Sequence, residues 1–548
     1  MRRASIVVLA LLLLLPSFLQ VLATTPTSPS FRLGNEVLLD RYRYLVEGKR
    51  VGLITNQSGV NRRGESLIDI FAADPGINLA ALYGPEHGID GKAAAGAYVE
   101  SYIHPVLDIP VYSLYGATRK PTAAMLAGVD VLVFDVQDVG ARTYTFISTM
   151  NYAMVAAKEN GKPFIVLDRP NPLGGLVVEG PVLEEGYQTF VGVDILPMAH
   201  GMTVGELALY FNRLIGADLV VVRMQGYTRD MIYQDTGLEW VQTSPNIPNL
   251  ASVFGYMATG LAQGTGVVQA DRFTWVGGTG LKSAKFAALL NSASLPGVTF
   301  APEDRGTMGG ARLHITDYRS FNPARTGLYI LFLARSQWKF PVPRSGATPA
   351  TMVMFDKVMG TNKVGLWLEQ DLPPGQVENR YQAGLNAFKK EREAYLLYGF
   401  SGKRPHPSLV IDGYNVYSDV PPFITHDRTL VPVRVIARQL GASVTWLETE
   451  RAVLMEKDDV KVKIAIGSTT AYVNGIAHTL DVAPVIRDDR TMLPVRFVSE
   501  YLGAEVGWCP ERFSVLISTA KGRAESTIPA HARDAKGGPT IDSLASSW

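Results

Sequence analysis

The sequence predicts an α/β protein. It reads as a parallel sheet covered on both faces, followed by a smaller α+β lobe and a duplicated small α+β unit. Three observations carry this. Short apolar β-rich runs alternate with amphipathic helical stretches from Val51 to Met224. Beyond residue 256 the strand and helix signals become shorter and mixed. Near the C-terminus, residues 420–455 recur as residues 482–517. The 548 residues are 47% hydrophobic and 19% charged with a net charge of +1. That is too apolar and too neutral for a disordered chain. It also lacks the basic excess of a nucleic-acid binder, so no nucleic-acid partner is expected.

The elements follow in chain order. Arg2-Arg3 precede an unbroken apolar run from Ile6 to Leu15, and Val21-Leu22-Ala23 places small residues where a signal peptidase reads. This pattern predicts a signal peptide over residues 1–23 and an exported mature chain, secreted or wall-associated. The run is short for a membrane span, and no transmembrane segment is expected in the mature chain. The single cysteine, Cys509, excludes an intrachain disulfide. Residues 24–30 (TTPTSPS) have linker composition.

The apolar runs are 51–57, 77–84, 109–116, 129–138, 163–170 and 218–224. None shows period-2 alternation, which fits strands buried on both faces. Helical patterns separate them, such as 145–161, ending on Gly161, and 203–216, opened by Thr203 with Glu206 in capping-box spacing. The second lobe has a turn-rich centre near Ala301–Arg312 and ends in a charged helix over 383–398. In the C-terminal repeat, offset by 62 residues, Arg428/Arg490, Pro432/Pro494, Arg434/Arg496, Gly441/Gly503 and Trp446/Trp508 coincide. Each copy reads as a strand, a short helix and a hairpin, with Arg434 and Arg496 bridging helix and hairpin.

In an open parallel sheet, ligands bind beyond the carboxyl ends of the strands. Polar residues gather at those ends: Asn56-Gln57 after the first run and Glu86-His87 after the second. Asp135, Gln137 and Asp138 close the fourth run, with Arg142 and Tyr144 just after, and Asp168, Arg169 and Asn171 close the fifth. Helix capping explains one or two of these, but poorly explains Glu86-His87 set between Pro85 and Gly88. No G-x-G-x-x-G follows the first strand, and VGGTGLKS (276–283) has the wrong spacing for a phosphate loop. G-x-S-x-G and H-E-x-x-H are missing too. No pair among His87, His104, His200 and His314 has local ligand spacing, so no metal and no cofactor are expected. What remains is a carboxylate-rich cleft, the equipment of glycoside hydrolysis.

The motifs GLITNQSGV (52–60), LYGPEHGIDG (82–91), VLVFDVQDVGARTYTFISTM (131–150), LDRPNPLGG (167–175), VEGPVLE (178–184), LPMAHGMTVGELA (196–208) and SPNIP (244–248) resemble the exo-β-N-acetylmuramidase (NamZ-like) family, formerly a domain of unknown function. The match runs from about Phe31 to Tyr398. It implies an enzyme that removes non-reducing terminal N-acetylmuramic acid from peptidoglycan fragments, with its site between a Rossmann-like lobe and a smaller lobe. Carried onto this chain, the resemblance makes Glu86 the first catalytic carboxylate, with His87 positioning or polarising it. The second carboxylate is Glu184 or Glu179, with Asp168 behind them. Asn56, Asp135, Gln137, Asp138, Arg142, Tyr144, Asp168, Arg169, Asn171, Glu179, His200 and Asn246 would shape the sugar subsite. Arg142 would pair with the lactyl carboxylate.

One stretch departs: QGTGVVQADRFT (263–274) puts Gln263 and Gln269 where the family tends to carry acids. This keeps a hexosaminidase of other specificity, or a non-catalytic wall-glycan-binding protein, open as alternatives. HDRTLVPVRVIARQLGASVTW and DDRTMLPVRFVSEYLGAEVGW resemble the copper-amine-oxidase-like N-terminal domain, read here as a stalk that attaches the enzyme to the cell wall. The organisation implied is a signal peptide at 1–23, a catalytic lobe at 31–255, a lobe closing the cleft at 256–400, the duplicated stalk at 405–520 and a disordered tail at 521–548.

Overall fold

The computed structural model describes residues 31–346, 351–400 and, with short gaps, 407–519. The signal-peptide and tail expectations lie outside the described residues. The first sheet has seven strands: β1 (Arg50–Thr55), β2 (Asn78–Gly84), β3 (Tyr102–Ile103), β4 (Pro110–Ser113), β5 (Val131–Asp135), β6 (Phe164–Leu167) and β7 (Leu219–Val222). Their spatial order is β3-β4-β2-β1-β5-β6-β7, and all pairs are parallel except the edge pair β3–β4. The order reverses between β1 and β5, so their carboxyl ends open at the crevice where such sheets bind ligands.

The missing alternation in the sequence has a direct cause. Leu53, Val133, Ile165 and Val220 enter one buried cluster, while Ile54, Phe134, Val166 and Val221 enter another on the opposite face. Helices α1 (Gly34–Arg41) and α2 (Leu67–Ala73) cover the first face through Val37, Leu38, Leu67 and Phe71. After the one-turn α3 (Ala123–Leu126), helices α4 (Phe146–Glu159) and α5 (Val204–Ile215) contribute to the second cluster. The capping box of α5 forms as read: Glu206 N–H donates to Thr203 Oγ1 at 3.2 Å, and Thr203 N–H donates to Glu206 Oε2 at 3.0 Å.

The second lobe holds α6 (Leu250–Thr259) and an antiparallel sheet of β8 (Val268–Ala270), β9 (Trp275–Gly278), β10 (Val298–Pro302) and β11 (Gly309–Ile315), ordered β10-β11-β9-β8. The turn-rich centre is the β10–β11 hairpin loop. Helices α7 (Ser283–Ser292), α8 (Pro323–Gln337), α9 (Met354–Met359), α10 (Lys363–Glu369) and α11 (Pro374–Glu391) complete it. The closing helix ends earlier than its pattern predicts. Residues Arg392–Tyr395 form a 3₁₀ turn, because Arg392 reaches back to donate to the His200, Gly201 and Gly175 carbonyls. Among the described residues no helix is long and apolar enough to cross a membrane.

The C-terminal part consists of β12 (Ser408–Ile411), β13 (Tyr414–Val416), β14 (Phe423–Thr425), β15 (Arg428–Pro432), α12 (Val433–Leu440), β16 (Ser443–Leu447), β17 (Ala452–Lys457), β18 (Val460–Ala465), β19 (Thr470–Val473), β20 (Ile476–Thr479), β21 (Val485–Arg487), β22 (Arg490–Pro494), α13 (Val495–Tyr501), β23 (Glu505–Cys509) and β24 (Ser514–Ser518). Each repeat is a strand, a helix and a hairpin. The repeats join through β15 and β22, antiparallel with Val431 opposite Leu493, which are equivalent positions 62 residues apart. Pairing a position with its own counterpart makes the contact a local two-fold.

Gly34 starts α1 against the ends of β6 and β7. A Cβ there would stand 2.3 Å from Asp168 N and 2.6 Å from Val222 O, both backbone atoms. Gly34→Ala is expected to cost about 1–3 kcal/mol, since the sheet end cannot yield as a side chain would. Denaturant unfolding of the two proteins measures this.

Candidate active site

The residues singled out at the strand ends separate into three groups. The first surrounds Glu86 and Asp138. Glu86 follows β2 and is 8% exposed. Its Oε1 accepts from Gly96 N–H at 2.8 Å and its Oε2 from the Thr145 hydroxyl at 2.5 Å, which fixes the carboxyl plane. The charge of the same carboxyl, after burial, helps to raise the Tyr115 hydroxyl above its ordinary value. His87 adopts φ 74°, a conformation rare outside glycine, in the tight turn before Gly88. Its Nδ1 lies 2.7 Å from the Ala93 carbonyl. A carbonyl only accepts, so Nδ1 carries the proton and Nε2 the lone pair. His87 therefore holds the 93–96 loop that donates to Glu86.

Asp138 is joined to the same neighbourhood through aromatic residues. The half-buried Tyr256 of α6 feels the charges of both Glu86 and Asp138, and burial of its hydroxyl, the larger cause, pushes it up to about 12. Tyr256 meets Tyr144 edge-on at 5.7 Å, and the Tyr144 hydroxyl donates to Thr243 Oγ1 at 2.8 Å. Asp138 Oδ2 accepts from Gly140 N–H at 2.7 Å and lies 3.6 Å from His200 Nε2. His200 Nδ1 accepts from Met202 N–H, so a neutral His200 carries its proton on Nε2, toward Asp138. Gln137 donates to the Asp138 and Pro170 carbonyls, and its backbone N–H reaches Ser58, whose hydroxyl contacts Asn56 Oδ1.

Within this patch Asn56 Nδ2, Gln137 Oε1, Asp138 Oδ1 and His200 Nε2 are buried and find no hydrogen-bond partner in the protein. Each such atom costs about 1–3 kcal/mol if left unpaired, and four together mark a surface built to be completed by a polar ligand.

The second group serves the fold. Asp135, expected in the subsite, is fully buried and paired with Arg169, whose Nε lies 2.5 Å from Oδ1, and Asn35 adds a donor at 3.1 Å. Both Asp135 and Arg169 are thus consumed by each other. Arg142, expected to meet the lactyl carboxylate, is fully buried and donates instead to the Pro181, Leu196 and Val358 carbonyls at 2.7–2.9 Å. It locks the two lobes. Asn171 caps its own turn, accepting from Leu173 N–H and donating to the Met202 carbonyl. Asp168 accepts from Arg169 N–H, Gly205 N–H, the Thr203 hydroxyl and the Tyr398 hydroxyl.

The third group stands apart from the Glu86 cluster. Glu184 is partly exposed and ion-paired to Lys363 at 2.7 Å. Glu179 accepts from Gly180 N–H and from Asn322 Nδ2 at 3.3 Å. Asn246 is exposed; its backbone N–H bonds Ser244 Oγ. Gln263 and Gln269 are exposed as well, and line a groove at the end of α6. Their loop reaches the site through Phe273, edge-on to Tyr256 at 5.2 Å after a left-handed turn at Asp271, Arg272 and Phe273. Thr145, Tyr115, Tyr256 and Thr243 are participants that the strand-end rule missed. Thr145 lies inside RTYTF, three residues past Arg142, so a search extended one turn into α4 would have found it.

Two buried carboxyl groups beside amides and aromatic rings form the equipment of a glycosidase. Comparison with known proteins agrees. The family model Exo-beta-N-acetylmuramidase NamZ, N-terminal, matches residues 51–251, its C-terminal counterpart residues 254–398, and the copper amine oxidase N-terminal domain residues 410–517. Peptidoglycan beta-N-acetylmuramidase NamZ of Bacillus subtilis (strain 168) is 44% identical over 391 residues, covering 68% of this chain and 93% of that protein. The crystal structure of a DUF1343 family protein from Bacteroides fragilis NCTC 9343 aligns at TM-score 0.61 and 38% identity over 67% of this chain and 99% of its own. A second from the same organism gives 0.52 and 25%, over 68% and 99%. The chain belongs to the NamZ exo-beta-N-acetylmuramidase family and is a glycoside hydrolase.

Asp168 generates a prediction. Burial pushes its carboxyl up to about 7, with the charge of Glu206 adding and its donors opposing. A proton is therefore held more tightly in the folded state than at the ordinary 3.8. The resulting stabilisation is complete below about pH 4 and is lost as pH rises toward 7. In Asp168→Asn this slope should flatten, read as Tm against pH over that window in both proteins.

Proposed function

We propose that this chain is an exported, exo-acting β-N-acetylmuramidase that removes N-acetylmuramic acid from the non-reducing ends of peptidoglycan fragments. The observation carrying this reading is the patch of unpartnered buried atoms of Asn56, Gln137, Asp138 and His200 beside Glu86. The N-terminal pattern supports export. Residues 31–255 act as a Rossmann-like catalytic lobe, 256–400 as the lobe closing the cleft and 405–520 as a wall-attachment stalk. Glu86 is one carboxylate of the reaction. Asp138, with an oxygen unpaired and His200 against it, takes the second place in preference to the ion-paired Glu184.

With Arg142 committed to carbonyls, the cation for the lactyl carboxylate is Arg119. Its guanidinium lies over the Tyr115 ring at 4.0 Å and the Phe190 ring at 4.6 Å, and Tyr115 feels the charge of Glu86. A stacked arginine presents a planar fork matched to a carboxylate.

The test compares chromophore release from an aryl β-N-acetylmuraminide and the matching N-acetylglucosaminide, using protein lacking residues 1–23. Preference for the muraminide is expected. Glu86→Gln should lose on the order of 10³-fold or more in turnover while still binding the sugar. Arg119→Met should raise KM for the muraminide alone, by roughly tenfold. Turnover of the glucosaminide only would replace this reading with a hexosaminidase of other specificity.

A further inference from the structure

The local two-fold at β15–β22 builds two grooves. The larger, about 510 Å3, combines Ile424, Arg428 and Thr429 of the first repeat with Arg496 and Trp508 of the second. The smaller, about 260 Å3, combines Ile486, Arg490 and Thr491 of the second repeat with Arg434 and Trp446 of the first. All nine residues lining the smaller groove have their counterpart, 62 positions away, lining the larger. Neither groove belongs to one repeat. Each needs the strand of one copy and the helix and hairpin of the other.

Isoleucine, arginine, threonine, arginine and tryptophan repeat in both grooves, while the larger adds Phe497, Glu500 and Gly507 where the first copy has Val435, Arg438 and Thr445. Trp446 packs in part against the core of the unit, but the set reaches the surface. Trp508 is 41% exposed, the Arg496 side chain is 65% exposed, and Arg434 is exposed. Arg496 lies 3.9 Å from Glu500 on its own helix.

An indole face flanked by two guanidinium groups and a threonine hydroxyl matches a sugar ring carrying an acidic substituent. The ring stacks on tryptophan, the fork takes the anion and the hydroxyl pairs with a sugar hydroxyl. Arg434 and Arg490 line the smaller groove. The larger also holds Asp481, 2.6 Å from Arg428, and Glu500. Trp446 is oriented by its indole N–H, which donates to Glu448 at 2.5 Å.

We infer that the C-terminal repeat is a two-site binding module for an acidic cell-wall glycan, with Trp446 and Trp508 as its stacking platforms. The inference rests on the reading above that the chain works on wall glycan. Two sites on one strand give avidity that neither has alone.

The test is co-sedimentation of the full mature chain with purified insoluble sacculi, before and after hydrofluoric acid removes phosphate polymers. Turnover of the soluble aryl muraminide is measured on the same preparations. Trp446→Ala and Trp508→Ala should each weaken retention about tenfold, and the pair should reduce it to background, with soluble turnover unchanged. Arg434→Ala with Arg496→Ala, both at exposed positions, should act likewise without burdening the fold. Binding lost on stripping assigns the anion to a phosphate polymer, and binding kept assigns it to peptidoglycan carboxylates. Unchanged retention in both double variants, or no sedimentation of the unaltered chain with either preparation, overturns the inference. Absent muraminide turnover with normal retention would instead sink only the catalytic reading.

Discussion

The carboxyl group of Asp168 holds three parts of the enzyme in one place. It ends β6, caps α5 through Gly205 and Thr203, and receives the Tyr398 hydroxyl from the last residues of the second lobe. Beside it Glu206, ion-paired to Arg229, accepts from Leu397 N–H. Removing any one donor leaves a buried acceptor short, and the cost falls on the lobe junction rather than on a single helix. The raised affinity of Asp168 for a proton reports the burial that this junction requires.

From that junction the cleft follows. Arg142 closes the opposite side by tying Val358 of the second lobe to Pro181 and Leu196 of the first. The residues left with unmade hydrogen bonds, from Asn56 to His200, are buried without a partner in the fold. Division of labour among similar polar side chains is thus set by which of them found partners during folding.

The C-terminal repeat works by a different logic. A strand pairing across a local two-fold turns one duplicated unit into two mixed grooves, so the unit of recognition is the pair. The two NamZ domain models end at residue 398, and this module lies beyond them.

The sequence by itself determined the succession of strands and helices, the capping box at Thr203, the repeat and the strand ends where polar residues gather. These depend on near neighbours: periodicity, caps and turns act within a few residues. Tertiary structure decided which strand-end residues pair with each other and which keep an atom without a partner. Asp135 and Arg169, 34 residues apart, cancel in an ion pair, while Asp138, three residues from Asp135, keeps an oxygen unpaired. Nothing local separates the two aspartates. Glu184 likewise lies in a motif rich in candidate acids, and only the fold brings Lys363 to it. Tyr256 and Arg119 entered the site from outside the strand ends because ring stacking and lobe packing act between segments that the chain order does not relate.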